Sequence, residues 1–237
     1  IGFCGQLDGC IAVDSDGNAL SPCLFWMDRR AGGGIEGMPA ERAPAECGLV
    51  LDPGHLGAKA RWLLRHLSPR APIARFHQPI SYMVEQLTGV AVIDHALAST
   101  SMLYVLDRRR YDPELLAAFG LSETQLPAIA AAESHAGPLS RRGAALTGLP
   151  EGIAVAVGTG DDFGTPLGAG FNAPGRVAVV LGTGEVVGGL HPTPLRDDSG
   201  LLETHAYPGG AFFIENPGWL SGGSIAWIGQ LLNIPDL

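Results

Sequence analysis

Short apolar runs bounded by glycine and polar turn residues open the chain, helical spacing dominates its middle, and short β-branched runs return from Gly152 onward. Residues 1–6 read as an apolar strand already in progress. Ile11-Ala12-Val13-Asp14 and Ala19-Leu20-Ser21 flank Ser15-Asp16-Gly17-Asn18, where Asp-Gly supplies the turn of a hairpin. A strand over 23–26 leads into Met27-Asp28-Arg29-Arg30. Leu56, Ala60, Leu63, Leu64 and Leu67 then recur at three- and four-residue spacing with Lys59, Arg61 and Arg65 between them. That predicts a helix ended by Pro69 and Pro72. Further helices are predicted over 79–87, stopped by Thr88-Gly89, over 94–104 with Asp94 as cap, and from Asp112-Pro113-Glu114 onward. Residues 121–148 read mostly as connection and short helix.

After Gly152, a strand over 153–157 meets Gly158-Thr159-Gly160-Asp161-Asp162-Phe163-Gly164. A hairpin is predicted over 176–189, turning on Gly182-Thr183-Gly184. Strands that feed glycine loops, mixed with helices, predict the α/β class. Asn172-Ala173-Pro174-Gly175 is a strong breaker and divides the chain into segments 1–172 and 173–237. A new helical pattern starts at Ser224 just before Asn233-Ile234-Pro235-Asp236-Leu237 closes the sequence. With a strand under way at Ile1, the chain reads as a fragment of a longer protein.

Composition removes several classes of function. Hydrophobic residues make up 46% and charged residues 16%, which argues against disorder, and no apolar run approaches the ~18 residues a spanning helix needs. The net charge of -9 disfavours nucleic acid or an anionic membrane as partner. Cys4, Cys10, Cys23 and Cys47 form no Cys-x-x-Cys pair, and the histidines are scattered, so free thiols and no metal site are expected. Without a secretory signal at the N-terminus, the reading is a cytoplasmic protein.

Two places carry candidate chemistry. Asp161 follows a strand and a glycine loop and precedes a helical segment, where a ligand can reach it. It is a candidate general base, and it is equally placed to cap the helix that follows. Gly182-Thr183-Gly184 can bring backbone N–H groups close to phosphate oxygens because glycine has no Cβ to intervene. A plain hairpin turn is the other reading of the same residues.

The order of motifs resembles the FGGY carbohydrate kinases, most closely their xylulokinase-like branch. Gly5-Gln6-Leu7-Asp8-Gly9 resembles the family's Gln-x-His-Gly sugar loop, and Trp26-Met27-Asp28-Arg29-Arg30 its Trp-x-Asp-x-Arg pattern. Lys59-Ala60-Arg61-Trp62-Leu63, Leu87-Thr88-Gly89, Gly160-Asp161, Leu181-Gly182-Thr183 and Gly222-Gly223-Ser224 follow in the family's order. The resemblance implies a ribonuclease-H-like, actin-like ATPase fold. The chain would hold most of the N-terminal sugar domain and the start of the C-terminal nucleotide domain. It also implies ATP and Mg2+ as cofactors, a pentulose such as xylulose as acceptor, with an erythritol-type polyol kinase or a noncatalytic sugar-binding module on the same scaffold as the alternatives, and, as in relatives, room for a homodimer. Asp161 becomes the general base. Gln6, Leu7, Asp8, Trp26, Asp28, Arg29, Asp161 and Asp162 become acceptor contacts, and Gly182, Thr183, Gly184 and Gly222 phosphate or nucleotide contacts. With the family's first phosphate hairpin and most of its adenosine site outside these residues, the polypeptide by itself is expected not to phosphorylate a sugar. Asp8 stands where xylulokinases carry His, which exchanges a donor for an acceptor. Leu7, Asp8 and Gly54 stand where glycerol kinases carry Arg, Glu and Tyr, which disfavours glycerol.

Overall fold

A computed structural model describes residues 1–68, 72–218 and 220–234. Pro69, expected to help end a helix, and Pro235, Asp236 and Leu237 lie outside the described residues. Cys4–Gly5 pairs in parallel with Thr159–Gly160, in the register Cys4 to Thr159 and Gly5 to Gly160. Parallel strands release their following loops at the same end. Residues 6–9 and 161–162, far apart in the chain, therefore leave the sheet side by side.

Around that pair the described strands are short. Ile11–Val13 runs antiparallel to Arg75–His77, Val92–Asp94 parallel to Ala128–Ala130, and His135–Pro138 antiparallel to Ala154–Ala156. The predicted turn at 14–18 forms, with Gly17 at φ +77° and Asp14 accepting from the N–H groups of Asp16 and Asn18. The strand expected at 23–26 is reduced to one bridge, Leu24 to Cys10.

Helices form at Leu56–His66, Pro79–Thr88 and Pro113–Phe119, the second and third ending at left-handed Gly89 and Gly120. The helix expected over 94–104 is only His95–Ser99. Asp94 caps it as expected, accepting from Ala96 N and Leu97 N. The Ser99, Thr100 and Ser101 hydroxyls turn back to the carbonyls of Ala96, Leu97 and Ala98. Met102 then adopts φ +62°, and Tyr104–Val105 leaves as a strand paired with Arg110–Tyr111. Local hydroxyl bonds compete with helix propagation, which a spacing rule does not register. Residues 121–148, expected as connection and short helix, also contribute the strands Ala128–Ala130 and His135–Pro138. Each is too short to stand out without its distant partner.

From 177 onward the chain builds a four-stranded antiparallel sheet in the order Val177–Leu181, Glu185–His191, Phe212–Gly218, Glu203–Ala206. The breaker at 172–175 precedes it, yet this sheet packs back on the first segment. Thr204 N donates to Gly48 O, Ala206 N to Ser99 Oγ, and Ala206 and Phe212 join the main core beside Leu97 and Leu103. Phe163 seals the junction. It is fully buried and meets Phe213, Tyr207 and His205 edge-on, with ring centroids 6.2, 6.5 and 5.5 Å away. Burying one such ring contributes about 1.5–3 kcal/mol, and here it pins the helix Asp161–Gly168 against the sheet. Among the described residues no helix is long and apolar enough to cross a membrane.

Candidate active site

A cavity of about 320 Å³ opens between the sugar-loop end of the parallel strands and the four-stranded sheet. Gln6, Leu7, Asp8 and Trp26 line it from one side, Asp161 and Asp162 from the helix start, and Gly182, Thr183 and Gly184 from the hairpin. These nine positions, singled out from sequence, meet in one space. Asp28 and Arg29 do not line it: Asp28 binds Arg30 at 2.9 Å, and Arg29 forms a double hydrogen bond with Asp52.

The position of Asp161 separates its two readings. The N-cap of the helix is Gly160, with extended backbone and no side-chain cap bond, so Asp161 occupies the first helical position and its carboxyl is not the cap. Asp161 remains exposed at the cavity, and partial desolvation raises its pKa. Asp162 is more deeply set. Burial, then Glu215, then Asp161 push its pKa up to about 8, which favours the neutral acid, a form that can donate a hydrogen bond.

The glycine hairpin is braced from behind. Gly222 N donates to Gly182 O at 3.1 Å, and Ser221 N and Gly223 N donate to Thr183 O at 3.0 and 3.1 Å. In a trans peptide the N–H points opposite to the C=O. With both carbonyls turned to the start of the helix Gly222–Leu231, the N–H groups of Thr183 and Gly184 point away from that helix. Gly222 therefore sits behind the hairpin and does not line the cavity.

The loop over residues 6–9 is held by Lys59, which helical spacing had set among polar positions, and by Gln78. Lys59 is fully buried, and its Nζ donates to Asp8 O at 2.6 Å and Phe25 O at 2.9 Å. Asp8 adopts φ +58°, a left-handed conformation that Asp tolerates better than most residues. Its N–H donates to buried Gln78 Oε1 at 3.1 Å.

His55, Glu203, His205, Glu215 and Glu185 also line the cavity, and the sequence reading missed them all. One signal was available. Glu203-Thr204-His205 places a carboxylate and an imidazole two apart on a strand, hence on one face. The other partner, Glu215, faces Glu203 only through the strand register.

Residues 1–168 match the FGGY family of carbohydrate kinases, N-terminal domain. The chain belongs to the FGGY family. It is 29% identical to a glycerol kinase of Gloeobacter violaceus over 99% of its own length and 48% of that protein's. An L-fuculokinase of Salmonella typhi is 28% identical over 97% of the chain and 50% of the relative. A solved xylulose kinase from Rhodospirillum rubrum superposes with a TM-score of 0.87 at 25% identity, covering 99% of this chain and 49% of that one. The FGGY chain thus spans about half the length of the relatives it matches, and it has the mixed α/β, actin-like ATPase fold of these sugar kinases. Glycerol, fuculose and xylulose kinases all stand among its relatives, so similarity does not single out the xylulokinase branch.

Proposed function

We propose that the protein containing this chain is an ATP-dependent kinase that phosphorylates a hydroxyl of a small sugar, a pentulose such as xylulose. The observation that carries this reading is the shared cavity, in which Asp161, the sugar loop and the glycine hairpin face one another. In that role Asp161 would take the proton of the acceptor hydroxyl as the hydroxyl oxygen bonds to the γ-phosphorus of ATP and the bond from that phosphorus to the β–γ bridging oxygen breaks, releasing ADP. The hairpin N–H groups of Thr183 and Gly184 donate to phosphate oxygens, and Gly182 with Gly222 keeps the turn in shape. Gln6, Asp8 and Asp162 contact acceptor hydroxyls, while Leu7 and Trp26 wall the site. Asp28 and Arg29, each paired with another residue and neither lining the cavity, have no acceptor contact in this reading.

The residues present fit the group they would hold. The hairpin lines the cavity with Gly182 and Thr183 exposed, and its carbonyls are already occupied, which leaves donors for an anion. Bound ATP supplies the phosphoryl group, and Mg2+ neutralises charge on its oxygens. Among the described residues no group of three or more His, Cys, Asp or Glu could hold a metal. In this reading Mg2+ would be held mainly by phosphate and water with one or two carboxylates. Four free cysteines suit a cytoplasmic enzyme.

The test is turnover of xylulose, ribulose, erythritol and glycerol with ATP by the full-length protein, with Asp161→Asn beside it. A general base is worth roughly 10²–10⁴ in rate, so the variant should lose that much turnover while still binding acceptor. A wild-type protein that binds these compounds without turning any over would be a binding module on the same scaffold, and the reading would fail.

A further inference from the structure

The ionisable groups under the cavity form one continuous chain. Asp8 Oδ2 lies 3.3 Å from His55 Nδ1, and His55 Nε2 lies 3.6 Å from Glu203 Oε1. Glu203 Oε2 lies 3.6 Å from His205 Nε2, which is 2.9 Å from Glu215 Oε1. The two imidazole side chains are 4% and 2% exposed, so water does not screen them. Carboxylate and imidazole alternate along the whole run, the arrangement that lets buried charges coexist.

His55 faces a carboxylate oxygen at each ring nitrogen. A neutral imidazole has one N–H, so this position calls for the imidazolium. Burial works against that charge, but Asp8 and then Glu203 outweigh it and hold the His55 pKa well above its usual value. Burial likewise opposes the Asp8 carboxylate, and His55 overcomes it and holds the Asp8 pKa below the usual range.

Both ring nitrogens of His55 are buried and lie at ion-pair distance from carboxylates without forming hydrogen bonds to them, so neither is open to a ligand in the cavity. Asp8 does have an atom left. Its Oδ1 is buried without a hydrogen-bond partner, on a residue that lines the cavity and whose N–H and C=O are fixed by Gln78 and Lys59. An orphaned buried acceptor on a residue that lines a ligand cavity calls for a donor, which a ligand hydroxyl can supply as well as water.

We propose that His55, backed by Glu203, is a positioning residue of the acceptor site, fixing the Asp8 carboxylate so that Oδ1 accepts from one hydroxyl of the substrate. This rests on the kinase reading above. His55 sits immediately before the helix Leu56–His66 and Glu203 on an edge strand of the four-stranded sheet. The clamp therefore spans the sugar loop and the segment that carries the phosphate hairpin.

The groups that face this chain are few. Asp8 meets His55, with Lys59 and the Thr100 hydroxyl nearby. Glu203 meets His55, His205 and the N–H of Val50, and His205 meets Glu203 and Glu215 with Asp8 farther off. Asp162 feels Glu215, Asp161 and His205. Removing the Glu203 charge should lower the pH at which His55 loses its proton.

The experiment is steady-state kinetics of the full-length protein across pH, varying acceptor and ATP separately. His55→Asn and Asp8→Asn should each raise acceptor KM about tenfold or more, the size expected for a charge-assisted bond, with the ATP KM held within about twofold. The double variant should be no worse than Asp8→Asn, because His55 acts through Asp8. Glu203→Gln should move the alkaline rise in acceptor KM to lower pH. Multiplicative single effects, a loss confined to kcat, or an unmoved profile in Glu203→Gln would overturn the proposal. If His55→Asn does not fold, Asp8→Asn and Glu203→Gln decide it. If the wild type turns over no acceptor, the kinase reading fails instead, and calorimetric binding of xylulose and erythritol by the same variants decides the role of His55.

Discussion

Gly222 donates its N–H to the carbonyl of Gly182 at 3.1 Å, and a Cβ built on Gly222 would come within 2.5 Å of that oxygen. The first turn of a helix is thereby fitted against the glycine hairpin at a distance no side chain permits. Gly222→Ala must push the hairpin or the helix aside. Such overpacking costs about 1–3 kcal/mol. If the hairpin cradles phosphate, the displacement appears as a rise in ATP KM of roughly 5- to 100-fold with acceptor KM little changed. An unchanged ATP KM in the folded variant would separate the hairpin from nucleotide binding.

Lys59 joins two segments by satisfying the carbonyls of Asp8 and Phe25 from a fully buried position. Lys59→Met keeps the stem and removes both bonds. Each carbonyl left bare in the interior costs about 1–3 kcal/mol, so urea unfolding should show a loss of at least a few kcal/mol, partly offset because the ammonium itself is desolvated. A stability equal to the wild type would mean that water replaces the lysine.

The adjacent carboxyls at the helix start predict opposite pH limbs. Desolvation raises the Asp161 pKa, so the base is lost as pH falls through that raised value, and turnover declines on the acid side. Burial, Glu215 and Asp161 push the Asp162 pKa up to about 8, which places its ionisation on the alkaline side. Asn imitates the protonated form only. The ratio of Asp162→Asn activity to wild-type activity should therefore climb between pH 7 and pH ~9.5. A flat ratio would show that the carboxyl is ionised throughout.

Asp94 accepts from Ala96 N, Leu97 N and Thr159 Oγ1, yet burial dominates and pushes its pKa up to about 6. The folded-state value lies above the unfolded one. Its contribution to stability is thus complete below the unfolded pKa near 3.9 and is lost as pH rises through about 6. Asn caps helices about as well as Asp and carries no charge. The stability of Asp94→Asn relative to wild type should rise by on the order of 2–3 kcal/mol between pH 4 and pH 7, read from urea unfolding at each pH. No change across that range would mean that the carboxylate is better solvated than its surroundings indicate.

The pattern of apolar spacing, caps and breakers was enough to locate the helices at 56–66, 79–88 and 113–119, the turn at 14–18 and the glycine hairpin, because each rests on contacts within a few residues. The order of the sugar loop, the Gly-Asp segment and the Gly-Thr-Gly turn likewise pointed to a sugar kinase from sequence alone. Tertiary structure decided the rest. Capping of the 161–168 helix passes to Gly160, Gly222 goes behind the hairpin, Asp28 and Arg29 go outside the cavity, and Lys59 goes inside the core. Above all, His55 met Glu203 and the His205–Glu215 pair only when segments about 150 positions apart were brought together. Charge and spacing report what one segment prefers, whereas the protonation of a buried imidazole depends on which carboxylates the fold sets against it.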